Sequence, residues 1–171
     1  MKKIVIIANM LFSSVTVFGT VPNAYPLCEY RDLSPQLRAA YSTIKYEILD
    51  GEVDQVKRLI EELEPDERNT ILYAADESAN CLLHWAAGSG NIEVVKYLIE
   101  EQFLSVDLEG ICKQGPLHSA VNKKKEIVVK YLVEKGANIN KKDMFEDTPW
   151  NLARVHGLWN IMSLFISRHR Y

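Results

Sequence analysis

Two stretches of this 171-residue chain carry nearly the same sequence. LLHWAAGSGNIEVVKYLIE occupies positions 82–100, and PLHSAVNKKKEIVVKYLVEKGANIN occupies positions 116–140. When the two are aligned, His84 and His118 take equivalent positions, and Asn151 takes the next equivalent position along the chain. The repeat length of about 33 residues is typical of helical solenoids, in which each unit buries its apolar face only against its neighbours.

Each copy predicts two short helices joined by a turn. Small alanines mark the first helix of the first copy, and the GSG stretch ends it. The second helix carries an apolar stripe at i, i+3, i+6 and i+7, formed by Ile92, Val95, Leu98 and Ile99. In the second copy, Gly136 stands where the end of a helix favours a left-handed residue. The pattern predicts an all-α solenoid of stacked helix-turn-helix units.

These motifs resemble the ankyrin repeat, whose pattern contains T-P-L-H-x-A-A, then G-x-x-x-V-V-x-x-L-L and G-A-x-x-N. The matching segments are LLHWAAGSGNIEVVKYLI, GPLHSAV with IVVKYLVEKGANIN, and DTPWNLARVHGLWNIMSLFI. The resemblance covers residues 76–166 and implies an ankyrin-repeat solenoid with short hairpin loops. The middle copy departs from the pattern at Lys124, which replaces the family's glycine and puts the usual turn geometry in doubt.

Upstream of residue 76 the resemblance is weaker. STIKYEILDGEVDQVKRLIEEL keeps the glycine and the apolar stripe but lacks the alanines and the histidine. The segment that connects Gly51 to Gly90 is about six residues longer than the corresponding segment of the family pattern. The two glycines are therefore more than one repeat length apart. We therefore predict about four repeats, namely an atypical N-terminal capping repeat at 35–75, repeats at 76–109 and 110–142, and a C-terminal capping repeat at 143–171. Residues 20–34, which contain two prolines, predict an irregular linker.

The first 19 residues predict a secretory signal peptide. MKKIVIIANMLFSSVTVFG has two lysines, then an apolar run, then small residues, and no acid occurs before Glu29. We therefore expect an exported protein, periplasmic or secreted. Two alternatives stay open: a retained membrane anchor, because the segment 4–21 is just long enough to span a bilayer, and a buried helix of the fold. The basic start and the many Ile, Lys and Asn residues favour a bacterial source.

Composition and motifs exclude several other function classes. A net charge of -3 is too weak to indicate nucleic-acid binding. Cys81 and His84 form a C-x-x-H pair without a second pair, so we expect no metal site. The three cysteines show no disulfide framework, the GSGN stretch is not a phosphate loop, and no catalytic motif is present. We expect no enzyme activity, no cofactor and no small-molecule substrate, and membrane contact only through a retained N-terminus.

The resemblance assigns roles to individual residues. It implies that His84 and His118 hydrogen-bond backbone groups at helix starts, while Thr148 before Pro149 predicts an N-cap. In ankyrin proteins the hairpin tips and the exposed side of the first helices, which together form the concave face, contact partner proteins. In this chain those positions are Glu77, Ser78, Asn80, Ser89, Ile111, Cys112, Gln114, Asn122, Lys123, Met144, Phe145, Asp147, Val155 and His156.

Met144 and Phe145 are unusual because two large apolar residues stand together at a hairpin tip. Either a partner covers them or they pack locally on Trp150 or the preceding tip. Trp85 either lines the concave face or packs between repeats. We therefore predict a non-catalytic module that binds a partner protein, with a membrane-tethered periplasmic protective or scaffold protein and a regulatory subunit or inhibitor of an enzyme as alternatives.

Overall fold

The computed structural model describes residues 28–78, 80–110 and 112–168. The predicted signal peptide or anchor at 1–19 lies outside these residues, as does the tip candidate Ile111. Within the described ranges the chain forms nine helices, α1 Pro35–Asp50, α2 Val53–Glu61, α3 Pro65–Leu72, α4 Leu82–Ser89, α5 Ile92–Lys96, α6 Pro116–Asn122, α7 Glu126–Glu134, α8 Pro149–Val155 and α9 Trp159–Arg168. The prediction of an all-α repeat solenoid is confirmed.

The helices stack as four successive pairs, α1–α2, α4–α5, α6–α7 and α8–α9. The first helix of each pair packs against the first helix of the next pair, and the second helices contact one another in the same order. Ala86, Ala120 and Ala153 take equivalent positions in three successive repeats and are fully buried. Because a methyl side chain fills little space, these alanines allow the first helices to approach closely.

Local signals fix where several helices begin. The Ser34 hydroxyl accepts a hydrogen bond from the Leu37 N–H at 3.2 Å, and Pro35 follows at the first position of α1. The Thr148 hydroxyl accepts from the Asn151 N–H at 3.0 Å, with Pro149 next in the chain. Each hydroxyl satisfies a backbone donor that has no partner inside the helix. Proline at the first position has no N–H to leave unpaired.

The segment 20–34, predicted to be irregular, contains regular structure at residues 28–32. Strand β1, Cys28–Glu29, pairs in parallel with strand β2, Ala74–Ala75. Residues 30–32 form a single 3-10 turn, and the Tyr30 ring lies edge-on to Tyr41 with ring centroids 5.6 Å apart. The prolines upstream gave no signal for this pairing, which depends on contact with a strand far along the sequence.

The second repeat is one residue longer than the third, because His84 and His118 are 34 residues apart whereas His118 and Asn151 are 33 apart. The longer repeat contains a π-helical turn at Tyr97–Glu101. The Leu104 N–H donates to the Leu98 carbonyl, six residues back, at 3.0 Å. In the third repeat, Ala137 donates to Leu132, only five residues back, at 2.9 Å. The inserted residue is therefore absorbed as a π turn, and the helix end keeps the same acceptor.

The turn between paired helices needs one residue of left-handed backbone. Gly51, Gly90 and Gly157 have φ values of 95°, 88° and 63°, and Lys124 has φ 57° at the equivalent position. The lysine therefore adopts the geometry that the family's glycine usually supplies, at a cost of roughly 1–2 kcal/mol for a residue with a Cβ.

We expect Lys124→Gly to raise the free energy of unfolding by about 1 kcal/mol, because glycine removes this strain but gains some freedom in the unfolded chain. Urea denaturation measures the change. Lys123→Gly is the matched control, since Lys123 is also exposed but has an ordinary φ of -92°. That substitution should lower stability, and a gain of equal size in both variants would contradict the strain argument.

Candidate protein-binding face

Three hairpins project from the stack, and each is closed by the same backbone hydrogen bond. The Asp76, Gly110 and Asp143 N–H groups donate to the carbonyls of Asn80, Gln114 and Asp147 at 3.0, 2.8 and 2.9 Å. We use the term hairpin tips for the described residues inside these closures, which are Glu77, Ser78, Cys112, Lys113, Met144, Phe145 and Glu146. The shared closure makes the tips equivalent points along one edge of the stack.

A buried aspartate rigidifies the third tip. One Asp143 carboxylate oxygen accepts from the Phe145 and Asp147 N–H groups at 2.8 and 3.0 Å, and the other accepts from the Gln114 side chain at 2.9 Å. Burial opposes ionisation of this carboxyl, but the hydrogen bonds outweigh burial and hold its pKa below the ordinary value. The backbone that carries Phe145 is therefore fixed before any partner arrives.

Asp76 holds the first tip in the same way. Its Oδ1 atom accepts from the Ser78 and Asn80 N–H groups at 2.9 and 3.2 Å. Sequence reasoning missed both aspartates. The repeat spacing could have identified these hairpin-closing positions, because Asp76, Gly110 and Asp143 recur with the same spacing as the motif histidines and Asn151.

His84 joins its own helix start to the next hairpin. The Cys81 N–H donates to His84 Nδ1 at 3.3 Å, and His84 Nε2 lies 2.8 Å from the Gln114 carbonyl oxygen. Because Nδ1 accepts, the ring is neutral with its proton on Nε2. Burial lowers the pKa of His84 to about 4, and the nearby His118 and Lys141 act in the same direction.

His118 makes the same two contacts one repeat later. The Gly115 N–H donates to Nδ1 at 3.1 Å, and Nε2 lies 3.2 Å from the Asp147 carbonyl oxygen. Burial also lowers the pKa of His118. Both rings use their polar atoms within the stack, so each histidine connects one repeat to the hairpin of the next.

Met144 and Phe145 point into solvent. Their side chains are 55% and 68% exposed, whereas Trp150 packs near Phe165 with ring centroids 6.2 Å apart. The Met144 N–H donates to the Cys112 carbonyl at 3.0 Å, which ties the third tip to the second. The third tip therefore presents apolar surface to solvent, and packing of these side chains on Trp150 or on the preceding tip stays an untested prediction.

A charged cluster lies between the first and second repeats. Lys45 Nζ is 2.6 Å from Asp76 Oδ2 and 3.9 Å from the centroid of the Trp85 ring. The Trp85 indole N–H donates to the same carboxylate oxygen at 2.9 Å. Trp85 is half-buried, so it packs between repeats rather than standing free on the concave face. A polar notch of about 190 Å³ lies beside this cluster, bordered by Lys45, Asp76 and Ser78 among others.

The remaining predicted contact residues fall into two groups. Glu77, Ser78, Lys123, Val155 and His156 are exposed. The half-buried residues are Asn80, Ser89, Cys112, Gln114, Asn122 and Asp147. Several of the second group already bond within the stack, as Gln114 does with His84 and Asp143. Contact of either group with a partner stays a prediction.

The two cysteines whose side chains the structure describes are both free thiols. Cys81 is buried, and burial raises the pKa of its thiol to about 12, while Cys112 is partly exposed at the second tip. Among the described residues, no three His, Cys, Asp or Glu side chains are grouped closely enough to hold a metal ion. None of the helices in the described ranges has the length and apolar character needed to cross a membrane.

Comparison with known proteins identifies the repeats. Residues 44–143 match the family model described as "Ankyrin repeats (3 copies)". The "Probable 26S proteasome regulatory subunit p28" of Saccharomyces cerevisiae is 38% identical over 91 residues, which are 52% of this chain and 40% of that protein. "Ankyrin repeat domain-containing protein 53" of Mus musculus is 33% identical over 112 residues, 63% of this chain and 21% of that protein.

The human "Transient receptor potential cation channel subfamily A member 1" is 33% identical over 101 residues, which are 58% of this chain and 9% of that protein. This chain therefore spans less than half the length of each of these three relatives. The family model covers more than half of the chain, and the helix pairs keep its register. The chain thus belongs to the ankyrin-repeat family, whose repeats generally mediate interactions between proteins and are typically non-catalytic.

Proposed function

We propose that this chain is a non-catalytic module that binds a partner protein through its hairpin tips and concave face, with Met144 and Phe145 at the centre of the contact. The observation that carries the proposal is the rigid, solvent-exposed apolar tip. Contiguous apolar surface that is exposed to solvent is a feature of sites that contact other proteins.

The third tip has the properties of a binding anchor. Its backbone is fixed by Asp143, so little conformational entropy is lost when a partner contacts it. Aromatic residues and methionine are enriched in the buried centres of interfaces. Close by, Lys142 and Glu146 form an exposed ion pair with a 2.6 Å separation, which suits a polar rim around an apolar centre.

The first tip is polar, whereas the third tip is apolar. Glu77 and Ser78 border the polar notch beside Lys45 and Asp76, and Glu77 is exposed there. We propose that this end of the face contacts polar or charged groups of the partner, which set its orientation. Such rim charges contribute more to specificity and association rate than to affinity.

We expect Phe145→Ser to weaken binding of the partner about 30-fold or more, the effect of removing an interface anchor worth roughly 2 kcal/mol. Titration calorimetry with the purified partner measures the change. Phe103→Ser is the matched control, because Phe103 is 82% exposed but lies outside the tips and the first helices. An equal loss of affinity in both variants, or no loss of affinity in Phe145→Ser, would show that the third tip takes no part in binding the partner.

We also propose that the protein is exported, on the strength of the signal-like first 19 residues. Mass spectrometry of a C-terminally tagged full-length chain, after fractionation of its native host, tests this. Loss of about 19–24 N-terminal residues from a protein outside the cytoplasm is expected. An uncleaved chain in the membrane fraction would favour the tethered scaffold instead, and an uncleaved cytoplasmic chain would end the export proposal.

A regulatory role is the second candidate. What supports it is the similarity to a protein named as a probable proteasome regulatory subunit, which this chain matches over 40% of that protein's length. A regulatory subunit or inhibitor would copurify with an enzyme whose activity changes when the chain is present. The same Phe145→Ser variant, with Phe103→Ser beside it, tests whether that change depends on the third tip.

A further inference from the structure

We infer that the turn between α6 and α7 binds a short acidic segment of a protein. We define the lysine turn as Lys123, Lys124 and Lys125, of which only Lys123 was among the contact positions that the family resemblance implied. The lysine turn follows the end of α6, whereas the second hairpin tip precedes its start, about 10 Å away along a helix of seven residues. The inference shares with the proposed function that the partner is a protein, but it does not rest on the third tip.

The charges of the lysine turn have no counter-charge within the described part of the protein. Seven of the eight other described lysines pair with a carboxylate at N–O distances of 2.6 to 4.0 Å, namely Lys45, Lys57, Lys96, Lys130, Lys135, Lys141 and Lys142. No described carboxylate pairs with Lys123, Lys124 or Lys125. The nearest acid along the chain, Glu126, accepts a hydrogen bond from the Asn160 amide at 3.1 Å.

The neighbouring first helices and turns carry no acid either. Residues 82–92, 113–125 and 148–158, which span α4, α6, α8 and the turns that follow them, contain no Asp or Glu. The corresponding turn of the first repeat differs, since Asp50 and Glu52 flank its glycine. Adjacent turns therefore do not cancel the positive potential of the lysine turn.

Two of the three lysines lie against glycines of the preceding turn. A Cβ placed on Gly90 would lie 2.9 Å from Lys125 Cδ, and one placed on Gly88 would lie 3.5 Å from Lys123 Cγ. Because neither glycine has a side chain, the apolar stems of both lysines pack on the backbone of the second repeat, with their charged ends free to reach solvent. This packing restricts the lysine rotamers, so less side-chain entropy is lost when an anionic group binds.

Lys124 places the third charge at a cost in backbone strain. The other three turns have glycine at the equivalent position, whereas Lys124 has a φ of 57° and is exposed. Strained backbone that a fold retains is concentrated at sites of function. A glycine would form the same turn without strain, so what the lysine adds is its ammonium group.

Charge selects a short acidic peptide segment as the occupant. Residues 113–142 hold 8 basic and 2 acidic side chains, whereas residues 28–110 hold 7 basic and 18 acidic ones. A long polyanion such as nucleic acid, or an anionic membrane surface, would therefore meet repulsion from the first two repeats. The lysine turn also contains no aromatic ring on which a base could stack. A short run of carboxylates can contact the three ammonium groups and end before the acidic repeats.

Fluorescence anisotropy of a labelled hexaglutamate peptide, titrated with the full chain at low salt, is the test. We expect saturable binding that weakens as salt is added. A hexaglutamine peptide should not bind. Because the chain carries a net charge of -3, attraction by net charge cannot produce this result, which requires a local positive site.

Matched charge variants locate the binding site. One variant combines Lys123→Gln, Lys124→Gln and Lys125→Gln. Its affinity for hexaglutamate should fall at least about tenfold, because each exposed ion pair contributes a few-fold. The control removes the same charge from exposed lysines that already have carboxylate partners, by combining Lys130→Gln, Lys135→Gln and Lys142→Gln. Its affinity should stay within about twofold of that of the parent.

Two single variants separate this site from the fold and from the third tip. Lys124→Gly is expected to stabilise the protein, and it should at the same time bind hexaglutamate about threefold more weakly. A role in folding alone would not produce this loss of affinity. Phe145→Ser should bind hexaglutamate like the parent, so the lysine turn and the third tip are tested independently.

Four results would overturn the inference. One is the absence of saturable hexaglutamate binding at low salt. Another is equal weakening in the lysine-turn variant and its charge-matched control, which would show that binding follows overall charge. A third is a loss of hexaglutamate binding in Phe145→Ser, which would assign the peptide to the third tip. The fourth is tighter binding, at the same salt, of a single-stranded oligonucleotide or of phosphatidylserine vesicles.

Discussion

Ala86→Asp is expected to unfold the repeat stack. Ala86 is fully buried in α4, where the first helices approach most closely, and aspartate there would bury a charge without a partner. We expect a loss of at least about 4 kcal/mol, a large part of the stability of a small domain. Circular dichroism on heating should show little helix and no cooperative transition.

Ala39→Asp is the matched control for this change. Ala39 is exposed in α1, so the same substitution there introduces the same charge into a helix without burying it. Its cost should not exceed about 1 kcal/mol. The register assigned to the repeats would be wrong if Ala86→Asp melted like the parent protein.

Acidification is expected to destabilise the fold before the carboxyl groups titrate. Because burial lowers the pKa of His84 from 6.5 to about 4, the unfolded chain binds more protons than the folded chain between these values. The stability that neutral His84 contributes is fully present above pH 6.5 and is lost as the pH falls toward 4. His84 alone should remove about 2 kcal/mol between pH 7 and pH 5.

Urea denaturation at a series of pH values measures this loss. In His84→Gln the amide can still accept and donate hydrogen bonds but does not titrate, so stability should depend less on pH between 7 and 5. His156→Gln, which removes an exposed histidine, should keep the parental dependence. Equal pH dependence in the parent and in His84→Gln would contradict the assigned role of the buried ring.

The repeat architecture could be predicted because it depends on a residue pattern that recurs several times in the sequence. The spacing of His84, His118 and Asn151 set the register, and the fully buried alanines follow it. Features that depend on a single residue were harder to predict. The spacing of His84, His118 and Asn151 shows that the second repeat is one residue longer than the third, but whether a helix absorbs that residue as a π turn depends on the acceptor that the following backbone can reach.

The candidate binding face, too, was predicted where it follows the repeat pattern and missed where it depends on single residues. Repeat register placed Met144 and Phe145 at a tip, and the structure adds that they are exposed and that Asp143 fixes their backbone. Lys45 was missed because its repeat lacks most of the family pattern, and its contact with Trp85 joins two different repeats. Long-range pairings of this kind leave no periodic signal in a single sequence.

The most direct test of the proposed binding face is site-specific photo-crosslinking in the native host, with a photoreactive phenylalanine derivative at Phe145 or at Phe103. The account predicts a discrete protein adduct from position 145, which excess parent chain abolishes and excess Phe145→Ser chain does not. Position 103, although more exposed, should give no such adduct. Equal labelling from both positions, or an adduct from position 103 alone, would contradict the account.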